Sequence, residues 1–555
     1  MKRIPPRPDL GHLKKQAKDL LAGYRSGEPE ALARFRAALP AAAGQGDAAI
    51  AALGLRLHDA QSCLAREHGF ASWADFQGFV LARRALVDDP VRATLQWLRM
   101  VYAGDIAGGN HSARPGLAER LWADGAIPRD EDPWLACAVG DEARLREAIA
   151  QDPGWVHRPG GPLQLPPLVA VAHSSLARLQ AFADRLQACV ALLLEAGADA
   201  NQCVANRWPP ASLAEPDASH PLSALYGAAG QNQHAGMARL LLDAGADPND
   251  GESLYHALGS LDCTRLLLEA GARVPGTNAL CRVLDMDDLP ALQLLLAHGA
   301  DANEQPADGA APGGAAPLLW AIRRRRSLAH VQALVAAGAD PAACAADGTP
   351  AHIQALRYGL PGVAAFLRAA VGEGDVPVDE RFVAACAQAD EAQARTLLAA
   401  RPGLVDALSL PQQRLLPELA AQADCGHAVR LMVRLGWPID TTGGDWDGTA
   451  LHLAIFRGDA ALTRFLLEHG ARWQARHGFE DNACGALSWG SINTPEPDGD
   501  WAGCAQALLD HGLPPAAPDP QGSEAVWLDG RPMRFSDEVA DCLLGAAAPL
   551  PQAPK

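Results

Sequence analysis

The chain is poor in aromatic residues, which make up 5% of its 555 residues against 49% hydrophobic overall. At that length one hydrophobic core stops growing, so several domains or a repeat are expected. No stretch approaches about 18 uncharged apolar residues, which predicts no membrane-spanning helix. The start, Met1 to Pro8, lacks an apolar signal-peptide core, which predicts an unexported, cytoplasmic protein. Positive charge is also short: Lys+Arg 47 against Asp+Glu 65 leaves a net charge of -18. Broad attraction to nucleic acid or anionic lipid is therefore excluded. The twelve cysteines are scattered from Cys63 to Cys542 without a CxxC pair, so they read as small buried hydrophobes in a reducing compartment rather than zinc ligands. HExxH, GxSxG and GxxxxGK[ST] are absent as well, and the expectation is a non-enzyme with no cofactor and no metal.

What the sequence does have is a recurring phrase. Leu-Leu-Leu-Glu-Ala-Gly-Ala-Asp at 192–199 returns as Leu-Leu-Leu-Asp-Ala-Gly-Ala-Asp at 240–247, with variants at 266–273, 294–301, 333–340, 465–472 and 507–513. Each is an apolar helix stripe ending at a glycine, the residue that accepts the left-handed conformation beyond a helix C-terminus. Gly197, Gly245, Gly271, Gly299, Gly338, Gly470 and Gly512 are therefore predicted helix stops. His298, His469 and His511, each just before such a glycine, read as helix C-terminal caps. The other half of the unit is clearest at Asp447-Gly-Thr-Ala-Leu-His-Leu-Ala454, followed by Gly458-Asp459 and the stripe to Gly470. Asp347-Gly-Thr-Pro-Ala-His352 repeats the same opening.

Loop, short helix, turn, longer helix, glycine: this unit resembles the ankyrin repeat, and Gly436 to Gly470 spans 34 residues, close to that family's period of about 33. Elsewhere the interval runs from 26 (Gly245 to Gly271) to 48 (Gly197 to Gly245), so fingers are trimmed or loops inserted. Further helix pairs are predicted at 133–151, 379–400 and 411–436. The resemblance implies an all-α ankyrin-repeat solenoid with short finger loops, an elongated shape with a long concave surface and no deep pocket. It also implies that Thr449 starts a first helix and that His452 bonds between neighbouring repeats.

Residues 12–83 lack the signature and predict four helices. Leu13, Ala17, Leu20 and Leu21 line the first, and Ala31, Leu32, Phe35 and Leu39 the second. The third runs from about Leu57 to a stop at Gly69, and Ser72 with Asp75 caps the fourth. Leu13-Lys-Lys-Gln-Ala-Lys-Asp-Leu-Leu21 and Leu64-Ala-Arg-Glu-His-Gly-Phe-Ala-Ser-Trp73 resemble a helical module at the front of many bacterial ankyrin-repeat proteins. The organisation expected is a module at 1–88, repeat stacks at 89–372 and 373–548 divided at the Gly/Pro-rich stretch 371–378, and a tail at 549–555. A basic start carrying Lys2, Arg3, Arg7, Lys14, Lys15 and Lys18 reads as a solvated arm.

For function, the resemblance implies a monomeric scaffold or regulator that holds a protein partner through fingers and inner helices. Trp446, with Asp445 and Asp447, stands in a finger; Phe456 and Arg457 end the adjoining first helix. Arg323 and Arg324 stand at the equivalent end of an earlier one, where they would meet a partner's carboxylates or phosphates. Trp320 and Trp489 fall on core leucine positions of the repeat. The alternative is an enzyme whose site lies in the irregular segments 201–223 or 477–501, with His220, His477 and Asp481 as candidates. Cys425 and His427 read as turn residues rather than metal ligands.

Overall fold

The computed structural model describes residue 4 and residues 8–545, apart from 89, 126, 128–131, 306–315, 373, 494–498 and 520–524. Lys2, Arg3 and Arg7 of the basic start, Glu373 of the Gly/Pro-rich stretch and the tail 549–555 lie outside the described residues. The chain forms two compact units, residues 1–283 with 293–300, and residues 284–292 with 301–555.

The first unit begins with the expected helices, Leu10–Arg25, Pro29–Ala38, Leu57–Glu67 and Trp73–Asp88. Their apolar stripes close on one core, in which Ala17, Phe35 and Leu64 are fully buried. A short helix that the sequence pattern does not announce, Asp47–Ala51, is held because the Tyr24 hydroxyl reaches the Ile50 and Ala51 carbonyls, both at 3.0 Å. Arg34 clasps Glu67 with two bonds of 2.7 and 2.8 Å. The Ser72 hydroxyl accepts from the Asp75 amide at 3.1 Å and donates to its carboxylate at 2.7 Å, which fixes the start of the fourth helix.

Helix pairs follow: Pro133–Val139 with Glu142–Gln151, Pro167–Ala172 with Gln180–Glu195, and Ser253–Ala257 with Leu261–Glu269. Between the second and third, the inserted segment is not irregular. Cys203–Asn206 and Asp217–Ser223 form an antiparallel hairpin, and the first helix after it, Tyr226–Gln231, is wound as a π-helix. These strands sit within an otherwise helical unit.

The second unit contains Pro317–Arg323 with Leu328–Ala336, Ala351–Arg357 with Pro361–Val371, and Val378–Ala387 with Glu391–Ala400. It continues with Leu415–Ala420 and Gly426–Arg434, Ala450–Phe456 and Ala460–Glu468, then Ala483–Asn493 and Trp501–Asp510. A three-stranded antiparallel sheet, Ala517–Pro518, Val526–Leu528 and Arg531–Met533, and the helix Asp537–Gly545 complete it. Trp320 is 2% exposed, as a core position requires, whereas Trp489 is 59% exposed, which overturns its core assignment. Trp489 stands in the last helix pair, after which strands rather than another first helix follow.

The repeating physics lies in the helix ends. Gly197, Gly245, Gly271, Gly299, Gly338, Gly436, Gly470 and Gly512 all take φ between +85° and +97°. At Gly470 this lets the next amide, Ala471 N, turn back to the Leu466 carbonyl at 3.0 Å, and the same bond recurs from Ala198 to Leu193 and from Ala246 to Leu241 at 2.9 Å. The rings of His298, His469 and His511 lie 2.9, 2.8 and 2.8 Å from the carbonyls four residues back, so they do cap their helices. A second device joins neighbouring repeats four residues beyond the glycine. Asn201 donates to the Gly245 carbonyl at 3.1 Å and accepts from Asp247 N at 2.8 Å. Asn249 does the same with Gly271 and Arg273, and Asn303 with Gly338 and Asp340. Asp440 accepts from Arg472 N in the same position.

Candidate functional site

The finger 441–448 of the second unit is a tight turn closed by Gly443 N donating to the Gly448 carbonyl at 2.9 Å. Beneath it the first helix starts with a reciprocal cap: the Thr449 hydroxyl accepts from His452 N at 3.4 Å, and the His452 ring accepts from Thr449 N at 3.0 Å. Both residues are fully buried. Burial pushes the His452 pKa down to about 4, with the neighbouring His477 adding to the shift. The bond to Thr449 lies inside the repeat, and the His452 ring meets His477, at the end of the returning loop, edge-on, 5.1 Å between centroids.

Trp446 lies half-buried over this cap. Its ring is 5.8 Å from Phe456, 6.1 Å from His452 and 4.9 Å, edge-on, from His477. The loop of the next repeat is fastened to the finger by Gly478 N donating to the Trp446 carbonyl at 2.9 Å. A β-carbon at 478 would itself stand 2.9 Å from that oxygen, so the close approach requires glycine. The same loop carries Phe479, which is 77% exposed, and Trp489 and Ile492 on the following helix are 59% and 51% exposed. Sequence reasoning missed these residues as surface groups, although 477–501 had been singled out as irregular.

The arginine run turns inward rather than to solvent. Arg323 bonds Glu418 at 2.9 Å and Asp445 at 3.0 Å, and it is only 9% exposed. Burial works against its charge, but the Glu418 carboxylate outweighs it and the pKa rises. Arg324 bonds Asp285 at 2.7 Å and Asp445 at 2.8 Å while lying 4.3 Å over the Trp320 ring. Arg325 and Arg326 pair with Asp424 and Asp287. The guanidinium of Arg457 donates to the Ala420 and Gln422 carbonyls, both at 3.1 Å. The expectation that Arg323, Arg324 and Arg457 present free cations to a partner is therefore corrected. Folding places internal acceptors opposite each of them, and Asp445, though exposed, is drawn into the same network, leaving Asp447 as the exposed acid of the finger outside it. The fingers 343–349 and 443–447, with Arg323, Tyr358 and Glu418, line a cleft of about 840 Å³.

Of the alternative catalytic candidates, His477 and Asp481 share one loop of the second unit, His477 N donating to the Asp481 carbonyl at 3.0 Å, and His220 belongs to the first unit. His220 is an exposed hairpin residue bonded to Asp217 at 3.0 Å. His477 is packed beneath Phe479 and Trp446, and the Asp481 carboxylate is engaged by Arg531. Cys425 is buried while His427 is exposed, so the two do not share a site. Among the described residues no group of His, Cys, Asp or Glu is placed to hold a metal ion, and no helix is long and apolar enough to cross a membrane.

No curated protein matches the chain. Among solved structures, the human ASB11 ankyrin repeat domain aligns at 21% identity over 44% of this chain and 100% of its own, with a TM-score of 0.21. The family model of the ankyrin repeat matches residues 447–477. Finger, capped first helix, glycine-stopped second helix and returning loop at 447–477 are an ankyrin repeat, a module that generally binds other proteins, in a chain built mainly of helices.

Proposed function

We propose that the chain is a non-enzymatic scaffold or regulator that holds a protein partner through the finger side of its second unit. The observation that carries this reading is Phe479, an aromatic ring 77% exposed on a loop tied to the Trp446 finger. Exposed aromatics on a fixed backbone are the groups that dominate protein interfaces. In this reading Phe479 and Trp489 bury area against the partner. Trp446 and Phe456 form the platform beneath, and Asp447 sets charge preference. Asp445, Arg323, Arg324 and Arg457 hold the finger in its conformation.

The protein acts as a bacterial, cytoplasmic monomer without a cofactor. Residues 1–88 cap the first repeats, 89–372 and 373–548 form two stacks, and 549–555 is a tail. The test is affinity capture from the expressing cells with the wild-type chain and a Phe479→Ala/Trp446→Ala variant, with helicity followed by circular dichroism. A stoichiometric partner lost with unchanged helicity supports the proposal. Retention of that partner by the folded variant overturns it.

A further inference from the structure

The loop that carries Phe479 is closed around one imidazole. His477 N donates to the Asp481 carbonyl at 3.0 Å and Glu480 N to the His477 carbonyl at 2.8 Å, so residues 477–481 form a tight turn. Glu480 completes it in a left-handed conformation, φ +60°, which a residue with a β-carbon adopts only when its surroundings hold it there. Part of that hold is a side chain: Phe479 N donates to Nδ1 of the His477 ring at 3.2 Å.

A backbone amide can only donate, which fixes the state of the ring. Nδ1 is unprotonated, and the neutral imidazole carries its hydrogen on Nε2. A second proton has only Nδ1 to occupy, where it faces the Phe479 N–H donor to donor, and the bond is lost. His477 therefore has a different task from His452, whose ring caps a helix.

The surroundings resist that proton. His477 is 8% exposed, and three rings stand edge-on around it: Trp446 at 4.9 Å, His452 at 5.1 Å and Phe479 at 5.9 Å between centroids. Of the charged groups nearby, Asp481 on the same loop is engaged by Arg531 of the final sheet. Arg476 bonds the Glu480 carbonyl at 3.1 Å, Asp440, which acts on His452, bonds Arg472 at 2.6 Å, and Asp447 of the finger stands beside Gly478. Asp481 favours the protonated ring, but burial outweighs it and holds the His477 pKa below its ordinary value.

We infer that His477 is a proton-operated latch: its neutral ring holds the turn that presents Phe479, and proton uptake at Nδ1 releases that turn. Because the folded ring resists the proton, the closed turn is fully favoured above pH 6.5 and loses stability as pH falls below it. The latch regulates the surface proposed above for the partner, so its regulatory meaning, weaker binding in acid, rests on that reading. Opening of the turn is measured without a partner, so the two can fail separately.

The test is hydrogen–deuterium exchange of the full chain, read by mass spectrometry at about pH 7.5 and about pH 5, with each peptide normalised to its intrinsic rate and helicity followed by circular dichroism. His452, with its pKa at about 4, stays largely neutral over this window. In the wild type the segment 476–481 is expected to lose about fivefold or more of its protection at the lower pH, while the helix Ala460–Glu468 keeps its own. His477→Asn, whose side-chain oxygen accepts from the amide two residues on and does not titrate, is expected to hold the turn at both pH values. His477→Ala, which has no acceptor, is expected to leave it open at both. Unchanged protection of 476–481 in the wild type overturns the inference, as does the same loss in a folded His477→Asn variant. The wild-type comparison keeps the test decisive if neither variant folds.

Discussion

The fingers at 441–448 and 203–223 occupy the same place, between the second helix of one repeat and the first helix of the next, yet they do opposite things. The short one is a closed turn that sets Trp446 at a tilt against Phe456 and His452 of its own repeat and leaves Asp447 and the neighbouring Phe479 outside. The long one has enough chain to pair with itself as a hairpin and fold over the first unit's inner turn, where Arg207 is buried. Each is pinned by an arginine, but through different chemistry. Arg323 meets carboxylates, whereas Arg207 meets neutral carbonyls, so burial alone acts on it and lowers its pKa. The same scaffold thus presents a finger held over its own repeat or a hairpin folded back on its unit, according to finger length.

That comparison can be broken at several points. The largest effect is expected under the short finger. His452 is neutral when folded, with its pKa lowered from 6.5 to about 4, so its contribution is complete above pH 6.5 and is lost as pH falls towards 4. Denaturant unfolding of the wild type should lose about 3 kcal/mol more over this window than a His452→Gln variant. An equal loss in both would show that His452 is not the acid-sensitive element of this finger.

Next, Arg323→Met removes the cation between Glu418 and Asp445, of which Asp445 keeps Arg324, at a cost of about 3 kcal/mol that shrinks in high salt. Arg207→Met leaves two buried carbonyls without a donor while relieving a desolvated charge, at a cost of about 2 kcal/mol that salt leaves unchanged. Unfolding at low and high salt separates the two pins, and identical salt responses would erase the distinction. Smaller still, Asn201→Ala before the long finger and Asp440→Ala before the short one should each cost about 1 kcal/mol. The bond from one repeat to the next precedes both fingers and should not depend on their length. Trp489→Ser should change stability by less than about 0.5 kcal/mol, where a loss of several kcal/mol would return that residue to the core.

Much of the fold was legible because its signals are local. A glycine after an apolar stripe stops a helix through a backbone conformation that other residues resist, and Thr449 with His452 caps the helix that follows from three residues away. The asparagine positions 201, 249 and 303 carry an equally plain signal, four residues past the glycine stops, that the repeat comparison did not use. Trp489 was misplaced because its register matches a buried leucine, while its exposure depends on which element packs next.

The candidate site was less legible, since its parts come from distant segments. Arg323 and Glu418 are 95 residues apart in sequence. The sequence by itself determined the helix pairs, their stops and caps, and the ankyrin repeat at 447–477, because each is encoded within a few turns of chain. Only the tertiary structure decided which arginines are neutralised from within and which aromatics stay in water, because those outcomes depend on what folding brings opposite each side chain.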